Sequence, residues 1–237
     1  MGRLVSVLVL ADGRFPAGTY AHALGLEEAV RQGLVVDLAT TAAYVDGVLA
    51  TSGVLAAHAA AAAWQLERAE APIDRWLRLD AEIDARTASP WARHTARLLG
   101  RHLLRAAAAL GPSAEAAARR AAADGPAGPQ QVLALGAVVA AVGGGADEAA
   151  LLAVLGVASA VVQGAVRLLG LDPVAATGLL AGRADHMEAL ASEAAARSAT
   201  VLEDWPASLA ELPATAGAML DHLLECQAAR PDRLFAS

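Results

Sequence analysis

Long apolar stretches rich in alanine, separated by glycine, proline and capping residues, divide this chain into about eight helical segments. The first is predicted from about Thr19 to Gln32, with Gly33 as its C-terminal stop. Asp37 can cap a long second segment that reaches Glu70 and relaxes or breaks near Ser52–Gly53. Pro72 opens a third, ending near Arg86. Ser89 followed by Pro90 pairs an N-cap with proline at the first helical position, and starts a helix running to Leu110. A short helix from Ser113 to Ala123 then meets Asp124-Gly-Pro-Ala-Gly-Pro129, the clearest loop in the chain. Beyond it come Gln130 to Val142, the Gly143–Gly145 connection, and a helix capped by Asp147 that continues to Leu169. Asp172–Pro173 repeats the cap-plus-proline signal and opens a helix reaching Arg197. A last helix spans roughly Ala214 to Ala229, with Pro231 behind it. The one β-rich run, Leu4 to Leu10, has no obvious strand partner. No repeat of fixed period and no linker-like break in composition is present. The expectation is all-α: a single-domain bundle of about eight helices around an Ala-rich central helix, covering residues 1–237.

Composition reinforces this. The 237 residues are 56% apolar, only 18% charged and 3% aromatic, so the core is built from small aliphatic side chains. Alanine, about a quarter of the chain, is the best helix former and is depleted in strands, which excludes an extended sandwich or barrel. The stretch Ala149 to Val166 has no charge over eighteen residues, the lower edge of a membrane span. Its Ala, Gly and Val content, the internal Gln163 and the missing aromatic belt favour the buried centre of a bundle. Met1 to Leu10 is too short an apolar run for a secretory signal before Asp12 and Arg14 interrupt it.

Charge narrows the partners. The formal net charge is −7, from 25 acids and 18 bases, and every base is arginine. A net acidic chain without a basic tail is a poor non-specific nucleic-acid binder, and the lack of lysine removes Schiff-base and P-loop lysine chemistry. The single cysteine, Cys226, excludes an intrachain disulfide and cysteine clusters for zinc or iron–sulfur. It reads as a buried structural thiol on an apolar helix side. A cytoplasmic setting fits this usage.

Motifs for chemistry are sparse. There is no His-Glu-x-x-His, no Glu-x-x-His pair and no Gly-x-Ser-x-Gly elbow. Asp185–His186 and Asp221–His222 are sequence neighbours whose side chains diverge on a helix, so they read as surface pairs. His94 and His102 stand too far apart to chelate one ion. Arg93, Arg97, Arg101 and Arg105 form a stripe along the Ser89–Leu110 helix. Asp74, Asp80, Glu82 and Asp84 on the preceding helix can pair with it, and a face reserved for a partner protein is the alternative.

The segment Leu8-Val-Leu-Ala-Asp-Gly-Arg-Phe-Pro-Ala-Gly-Thr-Tyr-Ala-His-Ala-Leu-Gly-Leu-Glu27 resembles the opening of the UreF family of urease accessory proteins. Pro16, Gly18, Tyr20, His22, Gly25, Leu26 and Glu27 carry the match. The ending Arg233-Leu-Phe-Ala-Ser237 resembles the family's Arg-Leu-aromatic-x-Ser tail. Arg93 with Gly100 and Leu103–Leu104 is similar to an Arg-containing family helix, and Ala149–Leu169 occupies the place of its central helix. The chain departs from the family pattern at Gly170-Leu-Asp-Pro173, at Thr177–Gly178, at Ala160–Val161 where the family has Ser-Asn, and at Gln227–Ala228 where it has His-Glu.

The resemblance implies an all-α, homodimeric, non-enzymatic chaperone of nickel insertion. Such a protein joins UreD (UreH), recruits the GTPase UreG and docks on apo-urease. It has no tightly bound cofactor, and Ni²⁺ is handled by the complex. Partner contacts are expected at Tyr20, His22, Glu27, Arg93, Arg233, Leu234 and Phe235. Residues 1–18 and 230–237 would act as partner-binding arms, the tail ordering on UreD or UreG. Tyr20 could equally anchor the turn as a core tyrosine, and Glu27 could be a surface acid of its helix. The implied roles exclude nucleic acid and membrane as partners. The competing reading is a helical small-molecule-binding or regulatory protein sharing only the fold.

Overall fold

The structure, a computed structural model, describes residues 2–16, 23–123, 127–215, 217–232 and 234–235. Tyr20, His22 and Arg233, and the turn residue Gly18, lie outside the described residues. Among those described, the regular structure is helical throughout, with more helices than the eight expected. In chain order they are α1 (Arg3–Ala11), α2 (Leu26–Arg31), α3 (Leu38–Val48), α4 (Val54–Arg68), α5 (Ile73–Arg86), α6 (Pro90–Ala107), α7 (Pro112–Ala121), α8 (Gln131–Ala141), α9 (Ala146–Leu169), α10 (Pro173–Ala181), α11 (Ala184–Ser198) and α12 (Ala218–Ala228).

Local chemistry places most boundaries. Asp37 caps α3 reciprocally with Thr40: the Thr40 N–H donates to Asp37 Oδ1 at 2.8 Å and the Asp37 N–H to Thr40 Oγ1 at 3.0 Å. Ser89 accepts the Ala92 N–H at 3.0 Å with Pro90 opening α6. Asp172 accepts the Val174 and Ala175 N–H groups ahead of α10. Gly170, at φ +63°, closes α9 in the left-handed conformation that glycine adopts without strain.

Three expectations are corrected and one is resolved between its alternatives. The β-rich run Leu4–Leu10 is helix α1: with no strand to pair with, a helix satisfies its backbone internally. Of the two outcomes expected near Ser52–Gly53, the structure has the relaxed one: a π-helical turn, Leu49–Gly53, joins α3 to α4 without interruption. The segment after Pro173 divides at Gly182–Arg183 into α10 and α11. The start of α9 is held by Glu148, which accepts the Gly145 N–H at 2.8 Å, and not by Asp147.

The centre is α4, which lies against α8, α9 and α11. Ala56, Ala57 and Ala59–Ala63 are all buried, so this helix has core on every side and no room for larger side chains. A Cβ on Gly136 of α8 would sit 2.1 Å from the Ala60 carbonyl oxygen, so only glycine permits this crossing. Alanine and glycine here allow backbones to approach where leucine would hold them apart. Two large apolar clusters flank that contact. One joins α2, α3, α9, α10 and α11; the other centres on Trp76, Leu79, Leu103 and Leu133 of α5, α6 and α8. The segments Leu38–Arg68 and Ala146–Leu169 are each long and apolar enough to cross a membrane, and they pack on each other within this bundle. Half of the α9 window is buried, less than the fully enclosed centre expected from its sequence.

Candidate functional site

Helix α2 carries two adjacent carboxylates, and both point inward. Glu27 is only 2% exposed, so it is not the surface acid its helix position allowed. Its oxygens accept the backbone N–H groups of Leu234 (2.9 Å) and Phe235 (3.0 Å), 207 and 208 residues away in the chain. Burying a carboxylate is costly unless its lone pairs are filled, and two aligned peptide donors do that. Arg31, one turn on, stands 3.4 Å from Glu27 and 3.2 Å from Asp232, tying helix and tail from the solvent side.

Glu28, also 2% exposed, accepts from Arg230 at 2.9 Å and from Gln32 at 2.9 Å. The Arg230 hydrogen bond holds its carboxyl well below the usual range, at about 2, with Gln32 adding to the effect. Arg230 follows the end of α12, so this pair fixes α12 to α2. Gln227, fully buried on α12, donates to the Phe235 carbonyl at 3.5 Å.

Phe235 itself is 4% exposed and belongs to the core cluster that includes Leu26 and Leu223. The Arg167 guanidinium of α9 lies 4.5 Å from the Phe235 ring centroid, a cation–π distance. Leu234 projects outward and is largely exposed. The structure therefore brings Glu27, Leu234 and Phe235 together, with the tail seated on its own chain. Glu28, Gln32 and Arg167 complete the cluster and were not singled out by sequence, while Gln227 was marked only as a departure and Arg230 only within the tail segment; the Glu28–Gln32 and Glu27–Arg31 spacings of four were the available signal.

Arg93 lies elsewhere. Its guanidinium donates to the carbonyls of Thr87 and Ala88, clasping the α5–α6 corner. In the same stripe Arg97 pairs with both Asp80 and Asp84 at 2.6 Å, and Arg101 donates to the Ala127 carbonyl. Three of the four arginines are thus engaged within the chain, and Arg105 is exposed. Glu225 of α12 accepts from Ser89 and from the Trp91 N–H, holding α12 to the start of α6. Cys226 is half-buried, not enclosed, with its sulfur 3.5 Å from His222 Nε2. The i,i+4 spacing on α12 makes them neighbours, a pairing the sequence reading passed over.

A groove of about 240 Å³ runs along the open side of α9, walled by Leu10, Phe15, Leu135, Leu152 and Leu155. Gln131, Ser159 and Gln163 supply its polar positions, and Arg167, which also covers Phe235, stands at its edge. Next to it α1 presents Leu4, Val5 and Leu8 to solvent, each more than half exposed. No cluster of three or more metal-ligating side chains occurs among the described residues.

Buried carboxylates that hold Leu234 and Phe235, beside an apolar groove and an apolar helix face, mark this all-α bundle. The UreF family model matches residues 35–184. The chain is 40% identical over 198 residues to the urease accessory protein UreF of Mycolicibacterium vanbaalenii, covering 81% of this chain and 87% of that one. It is 35% identical over 237 residues, the whole of both chains, to the UreF protein of Mycobacterium sp. strain JLS. The UreF protein of Mycobacterium bovis BCG Pasteur is 43% identical over 112 residues, 47% of this chain and 50% of that one. This chain belongs to the UreF family of urease accessory proteins.

Proposed function

We propose that this protein is a non-catalytic scaffold of urease maturation. It joins UreD (UreH), recruits the GTPase UreG, and helps deliver Ni²⁺, the cargo of the complex, to apo-urease. The observation that carries the reading, beyond family membership, is the tail cluster. A charged latch of Glu27, Glu28, Arg31 and Arg230 sets Phe235 in the core and leaves Leu234 outside. A terminus held in a defined place, with one large apolar side chain left exposed, suits recognition by another protein.

The two arms, residues 1–18 and 230–237, are the partner-binding segments in this reading. The outward Leu4, Val5 and Leu8 of α1 support the first. The tail's seat on α2 refines the expectation that it orders only on a partner: UreD or UreG would meet a tail already positioned. Tyr20, His22 and Arg233 are proposed as further partner contacts, and Arg93 braces the α5–α6 corner. The protein works in the cytoplasm as a homodimer, without nucleic acid, membrane or a tightly held cofactor of its own. The ligand-binding alternative is weaker, because a groove of about 240 Å³ falls below the roughly 300–1,000 Å³ of small-molecule sites.

Co-expression with tagged UreD and UreG, followed by size exclusion, tests the proposal. A ternary peak that Phe235→Ala or Arg233→Ala abolishes is expected. A chain that elutes alone while UreD is folded and soluble overturns it.

A further inference from the structure

His58, on the buried helix α4, has one ring nitrogen committed and one not. Its Nδ1 lies 2.9 Å from the Val54 carbonyl oxygen. A carbonyl only accepts, so Nδ1 carries the proton, and in that tautomer Nε2 presents a lone pair. The residue is 6% exposed, and Nε2 is fully buried with no protein donor among the described residues. Its ring lines a cavity of about 20 Å³, distinct from the α9 groove, between α4, the end of α11 and the connector that follows.

Three hydroxyl-bearing walls of this cavity have the same character. Ser198 Oγ donates to the Ala195 carbonyl at 2.8 Å, Ser208 Oγ to Val201 at 2.7 Å, and Thr200 Oγ1 to Arg197 at 3.1 Å. Each hydroxyl has spent its proton on backbone and offers lone pairs, although Ser198 Oγ already accepts from Gln65 Nε2 at 3.4 Å. His58, Ser198, Thr200 and Ser208 therefore line the site with acceptors, and the charged side chains of Arg197 and Glu211 border the same space. A space of about 20 Å³ exceeds the ~10–15 Å³ that one water needs and is far too small for an organic ligand.

We propose that this cavity, which opens to solvent past Arg197, Thr200 and Glu211, is a hydration site in which one water donates to His58 Nε2 and to a serine oxygen. The water joins α4 to residues 199–212, a connector whose far end is held by Arg86, donating to the carbonyls of Leu209 (2.9 Å) and Leu212 (3.2 Å). Two polar clamps, one hydrated and one ionic, then fix a segment with little regular structure against the bundle. An ammonium ion is the other small donor that the acceptor set would admit, and salt composition separates the two.

Crystals of the full chain grown without ammonium salts, at a resolution that shows ordered waters, are expected to show one water within hydrogen-bonding distance of His58 Nε2. In solution, ¹⁵N spectra of the His58 ring should report a protonated Nδ1 and an unprotonated, hydrogen-bonded Nε2. The His58→Leu variant should lose the site, and the amides of 199–212 should exchange faster than in wild type. Ser208→Ala should weaken it with a smaller rise in exchange, and serves if His58→Leu does not fold. A dry cavity, a protonated Nε2, or thermal stabilisation specific to ammonium over sodium chloride at equal ionic strength overturns the proposal.

Discussion

Where α4 crosses α8, two backbones meet over alanine and glycine; where α2 meets the C-terminal tail, they meet over two buried carboxylates. The first contact has no directional bonds between side chains. It depends on shape alone, because Ala60 and Gly136 leave no gap and no slack. The second is made of charge and hydrogen bonds with one aromatic ring beneath them. A shape contact fails when volume changes and is indifferent to pH. A carboxylate latch tolerates small changes in volume but depends on ionisation. The contrast places global stability in the centre and adjustable, local order at the terminus, where a partner is proposed to bind.

The largest effects are expected in the apolar half of this comparison. Trp76 is 1% exposed at the middle of the second cluster, and Trp76→Ala should lower stability by about 3–5 kcal/mol, read as a shifted denaturant midpoint. Gly136→Ala comes next. One methyl group placed 2.1 Å from a backbone oxygen must push α8 off α4, at about 1–3 kcal/mol. If Gly136→Ala melted like wild type, the close crossing would not be a determinant of the fold, and the contrast with the tail would lose one side.

How far these regions were legible in the sequence follows from how local their causes are. Ser89–Pro90, Asp172–Pro173 and Asp37 announce helix starts through residues within four positions, and each start is where the pattern placed it. The Arg97 pairing with Asp80 and Asp84 was readable because consecutive helices supply both signs. The run Leu4–Leu10 was not, since Val and Leu serve strand and helix alike and only the absent partner decides. The π turn at Leu49–Gly53 was half legible: Ser52–Gly53 marks a weakened helix, but only packing decides that it relaxes and does not break. The tail latch depends on contacts between residues 27 and 234, a separation over which periodicity carries no information. Its residues could be marked by their resemblance to a family, but their burial could not.

The tail should respond to smaller changes, and without global unfolding. Glu27→Ala removes the acceptor of two backbone N–H groups, a local loss of about 1–3 kcal/mol. Carboxypeptidase digestion followed by mass spectrometry should then trim residues 230–237 faster, while the thermal midpoint stays near that of wild type. A large fall in the midpoint would mean that the tail belongs to the global folding unit, and the division between the two regions would collapse.

The finest test is pH. The Glu28 carboxyl lies at about 2 in the folded protein against an ordinary value of 4.5, chiefly through its hydrogen bond from Arg230. A depressed carboxylate stabilises the form in which it is ionised, so its contribution is complete above about pH 4.5. Protonation of the unfolded or detached state begins first as pH falls, and the stabilisation drains away towards pH 2. Tail trimming should therefore accelerate progressively below pH 4.5, when measured with a protease active in acid. Arg230→Gln removes the charge that depresses the pKa, so the variant should start from a looser tail and show a flatter pH profile. Equal slopes in wild type and Arg230→Gln would show that Glu28 is not the titrating latch, leaving the Glu27 contacts with Leu234 and Phe235 as what holds the terminus.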